Sequence, residues 1–470
     1  MFLIGMGVFA AGSLLCGLSP HVHIHGLSGA DALDLARGIQ GLGGAAMVPL
    51  SLSLITATFH GAERGTAFGI WGGVSGLATA MGPLVGGLLV SRVGWPWIFF
   101  LNIPVGIIGI ILGSWAIHES KDTHSPRTVD IYGLVTLTVS LFCLILAFMK
   151  GNDKGWSSAY ILTLFLVGGI SLLAFILGEL RIKHPMLDPR LFKIPSFAGS
   201  AITAFTLSAG LYAEIFYLSL FMQNYLGYSA LGAGLRFLPL SALVFVGAPI
   251  AGRFSDKIGP KWILVPGMAF LIAGVVAMTR LAHARVASDW VLILPGLILT
   301  GIGNGLVNPP ISAVAMGSVE PRFMGMASGI NNIARQFGVA FGIATLAALL
   351  GNRYDRLITQ GVQRLAHVPS SAKADIIAGI QKAGPIAGSL GLKGASPQYT
   401  HQPIFPHIAA LARHAFLLGT RDAVWLGAAF LAVGLLASLF LIRPRDMAMT
   451  VKGGGSAGAG RGEWTQSDEP

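Results

Sequence analysis

GLGGAAMVPL at residues 41–50 and GIGNGLVNPP at 301–310 are two renderings of one pattern, and their separation sets the architecture. Gly41, Gly43 and Pro49 fall on Gly301, Gly303 and Pro309 at an offset of 260 residues. The same offset places Gly65, Ala67 and Gly69 on Gly325, Ala327 and Gly329, and Gly7 on Gly267. A period this long means two related halves rather than a solenoid array. Both copies sit inside long apolar runs, so the halves are expected to be bundles of lipid-embedded helices with a site between them.

Composition points the same way. Of 470 residues, 53% are hydrophobic and 11% charged, whereas a soluble domain is about a quarter charged. A water-soluble enzyme is excluded, and so is a disordered or collagen-like chain. The 64 glycines and 24 prolines, with a mean hydropathy of +0.71, suit an all-α polytopic membrane protein. A formal charge of +11 would suggest nucleic acid if it formed a basic face. Here Lys and Arg sit in short loops, where they orient helices, and no nucleic-acid partner is expected.

Chemistry-bearing constellations are few. Cys16 and Cys143 both lie in apolar runs, so neither a disulfide framework nor a Cys-based zinc site is available. His21, His23 and His25 alternate in one loop without a Cys or acidic companion, and no metal is expected. There is no G-x-x-x-x-G-K-[ST] loop for ATP and no nucleophile–base or paired-carboxylate arrangement. The chain reads as a non-enzyme without a cofactor.

A bilayer is crossed by about 20 apolar residues. About twelve runs qualify: 1–18, 30–59, 66–90, 97–117, 131–149, 159–180, 197–224, 230–251, 262–280, 289–316, 324–350 and 422–442. Basic residues gather in alternate loops, at Arg64, Lys121, Arg127, Arg181, Lys183, Arg190, Lys193, Arg253, Lys257, Lys261 and Arg322, and again in the tail from Arg443. The intervening short loops hold fewer: Arg92, Lys150, Lys154, Arg280 and Arg285. The richer side should be cytoplasmic, which puts both termini there. Segment 351–421 is then the one long outer loop, with short amphipathic surface helices expected over 371–383 and 406–419.

At the repeat offset Met1 falls opposite Lys261, so 197–252 has no upstream counterpart, as if two helices were missing from the first half. The expected division is a four-span bundle over 1–118, an inserted pair of spans over 119–196, a six-span bundle over 197–446 and a disordered cytoplasmic tail over 447–470.

Four motifs sit on this frame. Arg37, Gln40, Gly41, Gly44 and Ala45 form R-x-x-Q-G-x-x-G-A. Gly69, Gly82, Pro83, Gly86 and Gly87 end in G-P-x-x-G-G, with Ala78 where a further Gly is usual. WPWIFFLNIP spans 95–104, and GRFSDKIGPK spans 252–261. On these residues the chain resembles the major facilitator superfamily, specifically its fourteen-span drug/proton antiporter branch. The resemblance implies a major-facilitator-type two-bundle transporter that exports drugs in exchange for protons. It also implies two further spans, and a first copy of the 252–261 loop, ahead of Met1 in the family pattern.

The individual residues have chemical readings of their own. Arg37 places a guanidinium in an apolar helix, where charges are functional by default, and Asp34, one turn earlier, is its candidate partner. An ion pair that merely fixes the helix end is the alternative. Glu214 lies deep in 197–224 among Tyr212, Phe216 and Tyr217, with no cation within a helical turn. A carboxylate so placed can load and release a proton, so Glu214, Arg37 and Asp34 form the expected proton-coupling set. The aromatics beside it suit flat, lipophilic substrates, cations included.

Gln40, Tyr212, Tyr217, Asn304, Asn308, Asn331, Asn332 and Arg335 are the expected cavity wall. Asn304 and Asn308 share a helix face, as do Asn331 and Arg335, at i, i+4 spacing; interhelical hydrogen bonds explain them equally well. The expected gating residues are Gly82, Pro83, Gly86 and Gly87, which bring helices close and bend one of them, with Gly252, Asp256 and Gly259 in a charged turn. Plain helix packing and a solvated turn are the alternatives.

The function expected is proton-coupled efflux of lipophilic drugs or toxic compounds across the cytoplasmic (inner) membrane by alternating access. Small lipophilic substrates, protons and membrane lipid are the partners, with a periplasmic adaptor protein as a further one. The alternative is a truncated, non-transporting membrane remnant or assembly partner. A membrane-embedded enzyme lacks its reactive groups here, and a passive channel lacks a ring of pore-lining charges.

Overall fold

The computed structural model describes residues 1–22, 28–59, 62–117, 130–182, 185–283, 286–320, 323–365, 369–385 and 405–446, and every regular element among them is helical. His23, His25 and the tail 447–470 lie outside the described residues, as do the side chains of Pro83 and Asp256. The helices are α1 Phe2–Leu18, α2 Gly29–Thr58, α3 Ala62–Arg92, the single turn α4 Trp97–Phe100, α5 Asn102–Ala116, α6 Ile131–Lys154, α7 Ala159–Glu179 and α8 Pro195–Leu207. There follow α9 Ala213–Leu220, α10 Ala230–Arg236, α11 Leu238–Ile258, α12 Pro260–Met278, α13 Leu294–Gly317, α14 Met324–Gln363, α15 Ser370–Ala383 and α16 Phe405–Phe440.

Among the described residues, ten helical stretches are long and apolar enough to cross a bilayer. Two further helices, α2 and α3, have the length, at 30 and 31 residues. They are less apolar because α2 begins with Asp31, Asp34 and Arg37 and α3 is interrupted by glycines, serine and threonines. The entry to α2 is fixed by a capping box, with Ser28 Oγ accepting from Asp31 N and the Asp31 carboxylate accepting from Ser28 N, which satisfies two otherwise orphan donors. Asp130 caps α6 by accepting from Gly133 N at 2.8 Å.

The repeat reappears as a repeated helix crossing. Gly43 of α2 lies on α1 so closely that a Cβ would stand 2.6 Å from Gly5 O. Its mate Gly303 of α13 lies on α12, where a Cβ would stand 2.7 Å from Gly267 O. Two bundles result. α1, α2 and α5 pack together in one, and α8 to α14 with α16 form the other around a continuous apolar core that includes Leu271, Leu297, Val307 and Leu431. Helix α3 links the two, packing along α10 and α11 of the second and touching α2 and α4 of the first. Helices α6 and α7 pair with each other, and Phe148 of α6 meets Phe341 of α14 edge-to-face at 4.9 Å.

The structure departs from the sequence reading in three places. The span expected over 197–224 is not one α-helix: π-helical turns at Ser208–Tyr212 and Phe221–Tyr225 bracket α9. The span expected over 230–251 breaks at Phe237, just before Pro239, into α10 and α11. The stretch 406–419 is not a separate surface helix but the start of α16, while α14 runs on to Gln363. These extensions stay helical because they cover each other: Ile358, Val362, Ile408 and Ala412 are buried with Ile376 and Ile380 of α15. Arg353 and Asp422 join α14 to α16 at 3.1 Å.

Candidate functional site

A cavity of about 220 Å3 opens between the bundles. Val48 of α2 and Trp71, Gly72 and Ser75 of α3 line one side. Tyr212, at the end of the first π turn, faces them with Val244 and Ala248 of α11, Asn304, Asn308, Ser312 and Met316 of α13, and Ser328, Asn331, Asn332 and Arg335 of α14. Arg335 is the one charged side chain lining it among the described residues.

Hydrogen bonds tie the polar wall into a chain. Arg335 donates from Nη1 to Asn308 Oδ1 at 2.5 Å and from Nε to Asn331 Oδ1 at 3.2 Å. Asn308 Nδ2 in turn donates to Asn304 Oδ1 at 2.6 Å and to Asn304 O at 3.1 Å. Asn304 and Asn331 are buried, so the i, i+4 spacings within α13 and within α14 converge on one buried network. Six expected cavity residues are thereby brought together: Tyr212, Asn304, Asn308, Asn331, Asn332 and Arg335.

Two expected cavity residues lie elsewhere. Gln40 is 3% exposed and buried against α1, donating from Nε2 to Ser13 Oγ at 2.6 Å while its Oε1 accepts from Arg37 Nη1 at 2.7 Å. Asn102 Nδ2 donates to the same Ser13 Oγ at 2.9 Å. Tyr217 is turned into its own bundle, where its hydroxyl donates to Ile343 O at 2.9 Å. Both are long polar side chains that found a buried acceptor at a helix–helix contact.

A family model described as Major Facilitator Superfamily matches residues 1–343. The chain belongs to the major facilitator superfamily. It is 32% identical to Multidrug resistance protein Stp of Mycobacterium tuberculosis over 449 residues, 95% of this chain and 80% of that protein. Multidrug transporter protein MdtP of Bacillus subtilis is 29% identical over 460 residues, covering 94% and 80%. The Tetracenomycin C resistance and export protein of Streptomyces glaucescens is 33% identical over 359 residues, covering 75% and 63%. The chain is thus a multi-pass membrane transporter of this superfamily.

Within the superfamily motifs, the charged candidates are arranged differently from expectation. Arg37 bonds Gln40, three residues along its own motif, and its guanidinium lies 5.8 Å from the Phe99 ring. No ion pair joins it to Asp34 among the described residues. The geometry favours Gln40 because its amide reaches Arg37 from inside the α1–α2 contact, whereas Asp34 is on the exposed surface. Glu214 is 3% exposed and neither carboxyl oxygen has a hydrogen-bond partner. It points at α16, with Oε2 3.5 Å from where a Gly427 Cβ would stand, and does not line the cavity. Phe216, expected beside it on a substrate-facing side, is 44% exposed.

The gating candidates also divide. Gly87 is buried against α10, where a Cβ would stand 2.8 Å from Leu231 Cα, whereas Gly82 and Gly86 have nothing within 4 Å. Gly73, not singled out from sequence, faces Pro249 of α11 across the same seam, where a Cβ would stand 3.2 Å from Pro249 Cγ. Gly252 is buried, and Gly259 turns the chain between α11 and α12 at φ 91°, in the left-handed region that only glycine adopts freely.

Sequence reasoning missed Val48, Trp71, Ser75, Val244, Ser312 and Ser328, among others. The signal was there for some of them. Ser75 lies one turn beyond Trp71, and Ser328 lies three residues before Asn331 and seven before Arg335, on one face of α14. Val48 and Val244 carried none, because an apolar wall residue looks like any lipid-facing one.

Proposed function

We propose that this chain exports lipophilic compounds across the cytoplasmic membrane in exchange for protons, by alternating access of the cavity between its bundles. The observation that supports this best is the cavity itself: it draws walls from α2 and α3 and from α11, α13 and α14, so relative tilting of the bundles changes which side it opens to. The relatives named for multidrug resistance and export give the substrate class.

Glu214 is the group whose charge a proton switches in this reading. Tyr212 lines the cavity and Glu214, two residues on, faces α16 across a π turn. Substrate contact and proton binding therefore act on one short helix, and a cycle turns only if each ligand has different affinities for the two states. Both termini lie on the cytoplasmic side in this proposal, and the outer extensions of α14 and α16 face a periplasmic adaptor.

The test is efflux of a fluorescent lipophile from proteoliposomes with an imposed proton gradient, with and without an uncoupler. Export should stop with the uncoupler. Glu214→Gln should abolish substrate-induced proton movement while substrate binding persists. Export indifferent to the gradient refutes the exchange, and unchanged coupling in the variant removes Glu214 from it.

A further inference from the structure

The polar wall of the cavity has a direction. Arginine only donates hydrogen bonds, so the amide atoms facing Arg335, on Asn308 and Asn331, must be oxygens. Asn308 then presents its Nδ2 to Asn304 Oδ1. Three amide oxygens are consumed inside the network, so Arg335 and Asn331 turn donors to the cavity, beside the amide of Asn332 and the hydroxyls of Ser328, Ser312 and Tyr212, which both donate and accept. Arg335 Nη2 has no hydrogen-bond partner among the described residues. Asn331 Nδ2 and Ser328 Oγ are buried with no hydrogen-bond partner among the described residues. These three lie on one face of α14, at i, i+3 and i+7, and all line the cavity.

Nothing acidic balances them. The lipid-embedded parts of the lining helices, residues 48–58, 66–91, 238–252, 294–317 and 324–350, contain no Asp or Glu anywhere in the sequence. Of the carboxylates on neighbouring helices, Glu214 faces Gly427 of α16 instead and Asp422 of α16 pairs with Arg353. A part-buried guanidinium with only neutral amides for hydrogen-bond partners leaves a demand for negative charge unmet. Opposite it, Val48 and Trp71 offer an apolar and aromatic surface, and Val244 and Met316 add apolar surface on its own side.

We infer that the cavity recognises lipophilic organic anions, holding a carboxylate or similar acidic head group on Arg335 Nη2, Asn331 Nδ2 and Ser328 Oγ while the apolar body lies against Trp71. This rests on the exporter reading for its transport consequence but not for the binding itself. It also reverses the expectation of cationic substrates drawn from the aromatics around Glu214.

The test uses the full chain in lipid nanodiscs, titrated by fluorescence with 1-pyrenebutyrate, its neutral methyl ester and a pyrenemethyl-trimethylammonium ion, with empty nanodiscs subtracted. A charge-assisted contact discriminates by about tenfold or more, so the carboxylate should bind at least that much tighter than the ester, and the cation weakest. Arg335→Gln should bring the carboxylate to the ester's affinity while ester binding, which reports a folded cavity, stays within about twofold. Arg335→Lys should restore part of the preference.

Equal binding of carboxylate and ester by the wild-type chain overturns the inference without recourse to any variant, and so does a preference that survives Arg335→Gln. Export assayed on the same preparations in vesicles separates the two readings. Gradient-driven export of the ester without a carboxylate preference removes the anion site and leaves the exporter. A carboxylate preference without export under any gradient supports the site and removes the exporter.

Discussion

Gly87→Ala tests whether the seam between α3 and α10 is a contact that opens. A Cβ at this position would stand 2.8 Å from Leu231 Cα and N and 2.9 Å from Ala230 C, all backbone atoms that cannot rotate aside. Carbon–carbon contacts settle at about 3.5–4.0 Å, so the helices must part by about 0.7–1.2 Å. Overpacking of this kind costs about 1–3 kcal/mol. If the seam is closed in one state of the cycle and open in the other, that cost falls on the present conformation alone and shifts the equilibrium by about 5- to 150-fold.

The readout is labelling of Ser312→Cys, in the cavity wall, by a membrane-impermeant maleimide; the native Cys16 and Cys143 are both buried. From the face that bears Arg92 the labelling rate should rise with Gly87→Ala by that factor and should fall from the opposite face. Gly82→Ala is the matched control, because Gly82 is in the same helix with nothing within 4 Å and gains the same helix propensity. Equal rates for the two variants refute the reasoning.

Other substitutions separate structural from cavity roles. Gln40→Ala removes the hub between Ser13, Arg37 and Cys16 and should cost about 1–3 kcal/mol, seen as a lower thermal unfolding midpoint in detergent with substrate affinity unchanged. A drop in affinity without loss of stability would return Gln40 to the cavity. Tyr217→Phe deletes one buried hydrogen bond, to Ile343 O, and should cost about 0.5–1.5 kcal/mol by the same measurement while leaving efflux intact.

The helix pattern was legible because apolar runs of bilayer length announce themselves, and the repeat was legible because Gly43 and Gly303 do the same physical work at two helix crossings. The polar stripes on α13 and α14 were legible as a shared site for a related reason: an Asn or Arg in an apolar helix has few places to go. Where a residue of the same kind had a second option, sequence could not choose. Gln40 and Tyr217 each reach a neighbouring helix and bond there, and only the packing of α1 on α2 and of α9 on α14 decides it. The π turns around α9 leave no composition trace at all, whereas Tyr212 towards the cavity and Glu214 away from it follow from helix geometry, since positions two apart lie on opposite faces.

That divergence bears on how a pump of this design has to work. Glu214 and Arg335 are ionisable groups of opposite kind on neighbouring helices, yet no ion pair joins them among the described residues. Had they been paired, a proton arriving on Glu214 would release Arg335 directly, and substrate and proton would meet at one point. Held apart, they can influence each other only through the element between them, and a π-helical segment is a place where a helix accommodates a change of register at low cost. On the exporter reading, displacement of Tyr212 by substrate and the charge change at Glu214 compete for the conformation of one eight-residue helix. Coupling strength should then follow the integrity of the turn Ser208–Tyr212 rather than the distance between the charges.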